Sequence, residues 1–329
     1  MNSPTAFVTG GTGFIGSHLV ERLLSRGYIV RCLIRNPDKP GYLKDLPVEL
    51  FTGDVFSSDV LERAISGADF VYHVAGVVGS RNKEGFYKHN KDGTRNIIEI
   101  VSRVNPNLKK FLFVSSGAAV GPATAEKAVD ESTPHHPITT YGKSKMAAEL
   151  EVLKHKTSLP ITIVRPTAVY GPRDHATFDY FKTIARGLEP LVGFRDKFVS
   201  LAHSTDIVSG IVLAGESEKA IGQTYFLGSE RPYSWREIGE ITKEVMKKKA
   251  IRIRLPEPLV YTIATTAGVF SRFKEKPSVL NFEKGRDMVQ DHWTFDISKA
   301  RQELGYIPVV GLPEGIRETV EWYKKNGWM

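Results

Sequence analysis

The sequence holds one cysteine, Cys32, in 329 residues, which excludes a disulfide framework and any site built from paired thiolates. Its place inside the apolar run Tyr28 to Ile34 predicts a buried core thiol rather than a reactive one. The histidines show no metal-ligating spacing, so no metal is expected. Internal repeats and low-complexity tracts are absent. The opening MNSPTAFVTG lacks a basic n-region and a small-residue cleavage site, which leads to the expectation of a cytoplasmic protein without a secretory leader. The charge excess is modest: 45 Lys and Arg against 37 Asp and Glu give a net charge of +8. That balance suits an anionic partner, whether nucleic acid, an acidic membrane surface or a phosphorylated cofactor. No zinc-finger spacing or aromatic RNA-binding signature accompanies it, so nucleic acid is not an expected partner.

What is present is an ordinary globular composition, with 41% hydrophobic and 25% charged residues. The length exceeds the roughly 250–300 residues at which single cores stop growing, which predicts a main body with a smaller lobe. Short β-branched runs (AFVT, IVRCLI, VELF, DFVYHVA, KFLFVSS) alternate with helical patterns, including one around Thr94 to Val104 and one from Tyr141, and the strand Ile161 to Arg165 follows. That alternation predicts an α/β fold with a Rossmann-type doubly wound parallel sheet. Beyond Gly171 the pattern is mixed, with helices near Phe178 to Arg186, Thr205 to Glu216, Trp235, Leu259, Ser298 and Pro313 and a strand QTYFL. The expected division is a dinucleotide-binding body at 1–170, rejoined by 203–227, and an interleaved substrate lobe at 171–202 and 228–329.

FVTGGTGFIGSHLVERLL places Gly10, Gly13 and Gly16 between a strand and a helix that opens with Phe14 and Ile15. Missing side chains there let backbone N–H groups and the positive helix end approach a pyrophosphate. The glycine triplet is specific because of its strand-turn-helix setting. The second strand ends in CLIRNPDK, with no carboxylate where NAD-preferring folds bind the ribose 2′-hydroxyl. Arg35, with Lys39 nearby, is suited to a 2′-phosphate, which favours NADP over the alternative, NAD. Asp54 and Val55 of the GDV segment are candidates to face the adenine. Val74, Ala75 and Gly76 of HVAG are candidates to sit beside the ribose, and the adjacent His73 reads as a structural histidine.

Tyr141 and Lys145 of YGKSK lie four residues apart and share one helix face. A nearby ammonium favours the phenolate, so the lysine is expected to draw the phenol toward a useful acid or base at neutral pH. FVSS puts Ser115 and Ser116 at the carboxyl edge of the sheet, where open α/β folds bind ligands. A serine there can polarise a carbonyl while the tyrosine delivers a proton.

Taken in order, TGGTGFIG, GDV, HVAG, Asn90 to Thr94, VSS, YGKSK and RPTAVYGP resemble the motifs of the extended short-chain dehydrogenase/reductase family over nearly the whole chain. The resemblance implies an enzyme with Ser116, Tyr141 and Lys145 as catalytic residues and Ser115 as the alternative serine. It also implies that Asn90 supports the active-site helix, that Pro166, Val169, Tyr170 and Gly171 lie near the nicotinamide, and that the chain forms a homodimer. SSGAAVGP and FDISKARQELGY are similar to 3-beta-hydroxysteroid dehydrogenases and CLIRNPDK to dihydroflavonol reductases, which implies hydride transfer to or from an apolar small-molecule ketone or alcohol. A nucleotide-sugar epimerase and a non-enzymatic dinucleotide sensor remain the alternatives, although Ala168 stands where sugar-nucleotide enzymes commonly carry Asn. Finally, PEPLVYTIATTAGVFSRF at 256–273 follows the basic stretch Lys247 to Arg254. It is too short to span a bilayer and is read as a cover for the substrate pocket, with peripheral contact to anionic lipid as the sharper alternative.

Overall fold

Strands made of near-continuous β-branched and aromatic residues must be covered on both faces, and that requirement organises the chain. A computed structural model describes residues 3–80, 82–124, 127–271 and 282–329. The first half runs β1 (Thr5–Thr9), α1 (Phe14–Ser25), β2 (Ile29–Ile34), β3 (Val48–Thr52), α2 (Ser58–Ile65), β4 (Phe70–His73), α3 (Lys83–Phe86), α4 (Gly93–Val104), β5 (Lys110–Val114), α5 (Thr140–Leu153) and β6 (Ile161–Pro166). It continues through β7 (Ala168–Tyr170), α6 (Phe178–Ala185), β8 (Leu188–Val192), β9 (Phe198–Val199), β10 (Leu201–His203), α7 (Ser204–Glu216) and β11 (Thr224–Leu227). The remainder is β12 (Tyr233–Ser234), α8 (Trp235–Met246), β13 (Ile251–Leu255), α9 (Glu257–Ser271), α10 (Phe282–Met288), β14 (His292–Trp293), α11 (Ser298–Leu304) and α12 (Leu312–Lys325).

The main sheet has seven strands in the order β11-β6-β5-β4-β1-β2-β3, paired in parallel throughout. The order reverses between β1 and β4, which is the switch point where doubly wound sheets bind ligands. Leu19, Val20 and Leu23 of α1 pack with Ile207, Val208 and Ile211 of α7 on one face. Leu61 of α2, Ile97 and Val101 of α4, and Ala148 and Val152 of α5 cover the other. A third core joins Tyr170, Phe181, Ile184 and Ile238 to Ile316, Val320 and Tyr323 of α12. The α/β doubly wound architecture is the one expected from the alternation of strands and helices.

Two local readings differ. The helical path expected from Thr94 begins at Lys83, with a π-helical run over Tyr87–Asp92 joining α3 to α4. Gly85 and Gly93 hide it in the sequence because glycine weakens helix propensity, yet a Cβ on Gly93 would lie 2.7 Å from Val55 Cγ2. The basic stretch before Pro256 contains β13, which pairs in parallel with β8. Its alternating Ile and Arg side chains were read only as charge.

Candidate active site

The cradle is set by close backbone approach at the switch point. Gly10 has φ +76°, and a Cβ there would stand 2.7 Å from Ala75 N. A Cβ on Gly16 would lie 2.0 Å from Gly10 O, so the first turn of α1 is pressed onto the loop after β1. Gly13 caps α1 without a side-chain bond, and the N–H groups of the first turn have no partner within the helix. Phe14 and Ile15 are half-buried beneath the turn. These residues fit a dinucleotide pyrophosphate: the backbone is bare and the positive end of the helix faces the gap.

Around this cradle the other candidate contacts take their places. Arg35 is exposed directly after β2, with no hydrogen bond or ion pair among the described residues. Asp54 accepts from Phe56 N at 2.8 Å and braces its own turn, while Val55 packs against Gly93 and accepts from Asn96 Nδ2 at 2.8 Å. Val74, Ala75 and Gly76 follow β4 beside the glycine loop, and Ala75 N donates to Thr9 Oγ1 at 3.2 Å. Pro166 ends β6 opposite Leu227, and Val169 in β7 is half-buried. His73 lies among them fully buried, with Nδ1 2.7 Å from Thr9 Oγ1 and Nε2 2.8 Å from Thr94 Oγ1. Burial lowers its pKa to about 3, so it is neutral.

The three catalytic candidates converge. Thr139 caps α5 by accepting from Gly142 N at 3.1 Å. A Cβ on Gly142 would lie 2.2 Å from Ala118 O, so the first turn of α5 sits directly on the turn that follows Ser116. Ser116 lies close enough to Tyr141 to favour its phenolate. Ser116 Oγ accepts from Ala118 N at 3.2 Å. Ser115 is buried and its Oγ has no partner among the described residues; it is not the serine beside the phenol. Asn90 buttresses the helix, donating from Nδ2 to Ser144 Oγ at 2.9 Å, while Ser144 Oγ donates to Tyr141 O at 2.7 Å.

The electrostatics of the phenol depart from expectation. Burial is the largest influence and raises the Tyr141 pKa, with Asp287 adding to the rise and the Ser116 hydroxyl opposing it. Lys145 does not draw it down. Its Nζ donates to Val114 O at 2.8 Å and lies 4.3 Å from the Phe113 ring centroid. Desolvation pushes this lysine itself to about 7, against a partial opposing pull from Glu149. The ammonium is therefore a weak source of positive potential, and the phenol keeps its proton.

Two residues near this centre have no motif to announce them. Glu283 on α10 accepts from Thr140 N at 3.0 Å and from Thr140 Oγ1 at 2.5 Å. Asp287, one helical turn further on, has a buried Oδ1 without a hydrogen-bond partner among the described residues. Only their i, i+4 spacing could be read from the sequence, and spacing alone does not say what a helix will touch.

A parallel sheet with a glycine cradle at its switch point and a Ser-Tyr-Lys set on the neighbouring strand and helix defines a dinucleotide-dependent enzyme of the extended short-chain type. The chain belongs to the NAD dependent epimerase/dehydratase family, whose model matches residues 6–228. It is 32% identical over 323 residues to the ceramide reductase of Caulobacter vibrioides (strain NA1000 / CB15N), covering 98% of this chain and 95% of that protein. It is 26% identical to the 3 beta-hydroxysteroid dehydrogenase/Delta 5-->4-isomerase of Mycobacterium tuberculosis (strain ATCC 25618 / H37Rv), over 96% of this chain and 89% of that one. The crystal structure of UDP-glucuronic acid 4-epimerase from Bacillus cereus, in complex with UDP-glucuronic acid and NAD, superposes with a TM-score of 0.79 at 25% identity, covering 98% and 99% of the two chains.

The depressed Lys145 has a consequence for stability. Its folded pKa of about 7 lies below the usual 10.5, so between these values the unfolded chain holds a proton that the folded chain has released. Stability attributable to this position therefore rises with pH across that window. In the cofactor-free protein, the urea midpoint of the wild type minus that of Lys145→Met is expected to increase from pH 7 to pH 9. A difference that does not change with pH would mean that the buried lysine keeps its proton.

Proposed function

We propose that this enzyme interconverts an apolar ketone and its secondary alcohol, with NADP(H) as the hydride carrier. The observation that carries this reading is the seating of the first turn of α5, with the half-buried Tyr141, on the turn that follows Ser116, where desolvation keeps the phenol protonated. When bound, the nicotinamide supplies or accepts the hydride. Ser116 donates a hydrogen bond to the substrate oxygen and polarises the carbonyl. Tyr141 gives its proton to that oxygen as the alcohol forms, and takes it back in the reverse direction. Lys145, on the same helix face, holds the ribose and returns a proton to the phenol. The carboxylates of α10 near Tyr141 would repel a nucleotide diphosphate, which places the nucleotide-sugar epimerase reading second despite the ligands of the Bacillus cereus structure. The reductase and dehydrogenase relatives favour a lipid-like or sterol-like ketone.

The division into a cofactor body at 1–170 with 203–227 and a lobe at 171–202 with 228–329 is part of this proposal. The pairing of β11 with β6 and the separate core around Tyr170 and α12 support it. A homodimer through the exposed side of α5, where Leu150 and Leu153 are 56% and 40% exposed, is a further part that sedimentation equilibrium measures. Preference for NADP rests on Arg35, a free guanidinium at the end of β2. Arg35→Asp should weaken NADPH binding about tenfold or more while changing NADH binding much less. Equal losses for the two would remove Arg35 as the reader of the 2′-phosphate.

Peripheral membrane contact through 256–273 rests on the described part of that segment. Leu259 and Ile263 of α9 are 44% and 41% exposed, and Lys247, Lys248 and Lys249 are exposed just before β13. Residues 272–273 lie outside the described residues, and no helix among the described residues is long and apolar enough to cross a membrane. The protein should cosediment with vesicles containing anionic lipid at low salt, and Leu259→Ser with Ile263→Ser should abolish this. Cosedimentation unaffected by the double change would leave α9 as a cover for the lobe alone.

The catalytic assignment has its own test. Tyr141→Phe should lower kcat by roughly 10²–10⁴ with little change in cofactor Kd, because the phenol lies away from the glycine cradle. Retained turnover on every ketone tried would remove Tyr141 from the chemistry.

A further inference from the structure

The helix α10 belongs to the lobe, yet it reaches the first turn of the catalytic helix. Glu283 receives both the backbone N–H and the hydroxyl of Thr140, the residue immediately before Tyr141. Residues four apart on a helix share a face, so Asp287 lies on the same side of α10 and therefore beside the Tyr141 end of α5. The direction of the Tyr141 shift agrees, since Asp287 is one of its causes. The rest of the lobe fixes this helix from behind. Trp293 Nε1 donates to Asp287 O at 3.0 Å, and Lys197 Nζ, itself buried, donates to Val289 O at 2.5 Å and to Asp291 Oδ1 at 2.7 Å.

The Asp287 carboxyl group is only half committed. One oxygen pairs with Lys284 at 3.5 Å, and Oδ1 is enclosed with no hydrogen-bond partner among the described residues. An enclosed carboxylate oxygen without a donor costs free energy, and a donor arriving with a ligand would remove that cost.

We propose that Asp287 is a specificity-determining residue of the Tyr141 site: its free oxygen accepts a hydrogen bond from an amide N–H or hydroxyl that the substrate carries beside its carbonyl. The same negative charge excludes ketones that bear a carboxylate at that position, because two like charges would share a site with little water. This inference rests on the ketone reading of the site and narrows it to neutral ketones with an adjacent donor. Glu283 serves as a positioning residue, holding α10 against Thr140.

Binding calorimetry on the full chain with bound NADP+, which has no hydride to give a ketone, tests it without relying on turnover. Three probes of equal chain length are used: an α-amido ketone, the same ketone with a methylene in place of the amide nitrogen, and a 3-oxo acid. Asp287→Ala should weaken the amido ketone about tenfold or more, the loss of a hydrogen bond to a charged group, and leave the plain ketone within about twofold. Asp287→Asn keeps the shape and one acceptor oxygen, so it should tighten binding of the 3-oxo acid severalfold; it also serves should the alanine variant fold poorly. Equal weakening of both ketones, no weakening of either, or an unchanged 3-oxo acid in Asp287→Asn would overturn the assignment. Wild-type protein that binds neither ketone sinks the ketone reading and this inference together. Differential binding with no turnover in the wild type would sink the catalytic reading alone.

Discussion

Desolvation at the start of α5 is the constraint on which the rest of the site depends. Gly142 lets the helix sit on Ala118 O; Ser144 and Lys145 are buried there and Tyr141 is half-buried. A charge is costly in such a place, so each ionisable group shifts toward its neutral form: the phenol upward, the ammonium and His73 downward. The three shifts share one cause. A tyrosine that keeps its proton beside a serine hydroxyl is organised to protonate an oxygen, which is the requirement of carbonyl reduction.

Because burial withholds water, the polar groups between the sheet and α5 gain from protein partners. The chain of bonds from Thr9 through His73 and Thr94 to Asn90, then Ser144 and the carbonyl of Tyr141, meets this need. It also ties β1, β4 and α4 to the catalytic helix. Asn90 spans the gap between them, with its Oδ1 accepting from Val77 N at 2.8 Å as its Nδ2 donates to Ser144. The π-helical run around Asn90 fits this duty, since such local widening is common at functional sites.

The parts of the molecule legible in the sequence are those governed by local rules. Strand runs and helix periods dictate the sheet, and the glycines at Gly10, Gly13 and Gly16 announce a close backbone approach that other residues could not make. The four-residue spacing of Tyr141 and Lys145 gives their shared face. It does not give their electrostatics: proximity suggested that the ammonium would lower the phenol pKa, whereas the fold turns Lys145 toward Val114 O and lets burial dominate. Depth below the surface is a tertiary property. The same holds for Glu283 and Asp287, which lie more than 140 positions from Thr140 and Tyr141 and follow no motif. Their partners are fixed by how α10 lands on α5. The strands β7, β9 and β10 are illegible for a related reason, since segments of two or three residues carry too few periods to separate from loops.

The division of labour along the chain follows from this. The matched family region, 6–228, holds the cradle and the Ser116, Tyr141 and Lys145 set, the parts that any hydride transfer between a nicotinamide and a carbonyl requires. The residues after it supply α9 and α10, and Glu283 of α10 meets the first turn of α5 at Thr140. Lys197 shows how firmly they are held: Glu257 at the start of α9 and Asp291 beyond α10 converge on this one buried ammonium at 3.0 and 2.7 Å. Breaking one arm of such a cluster leaves a buried charge under-compensated, so Lys197 ties the start of α9 to the segment that follows α10. On the proposed reading, the Asp287 carboxylate held near the phenol discriminates between substrates by charge.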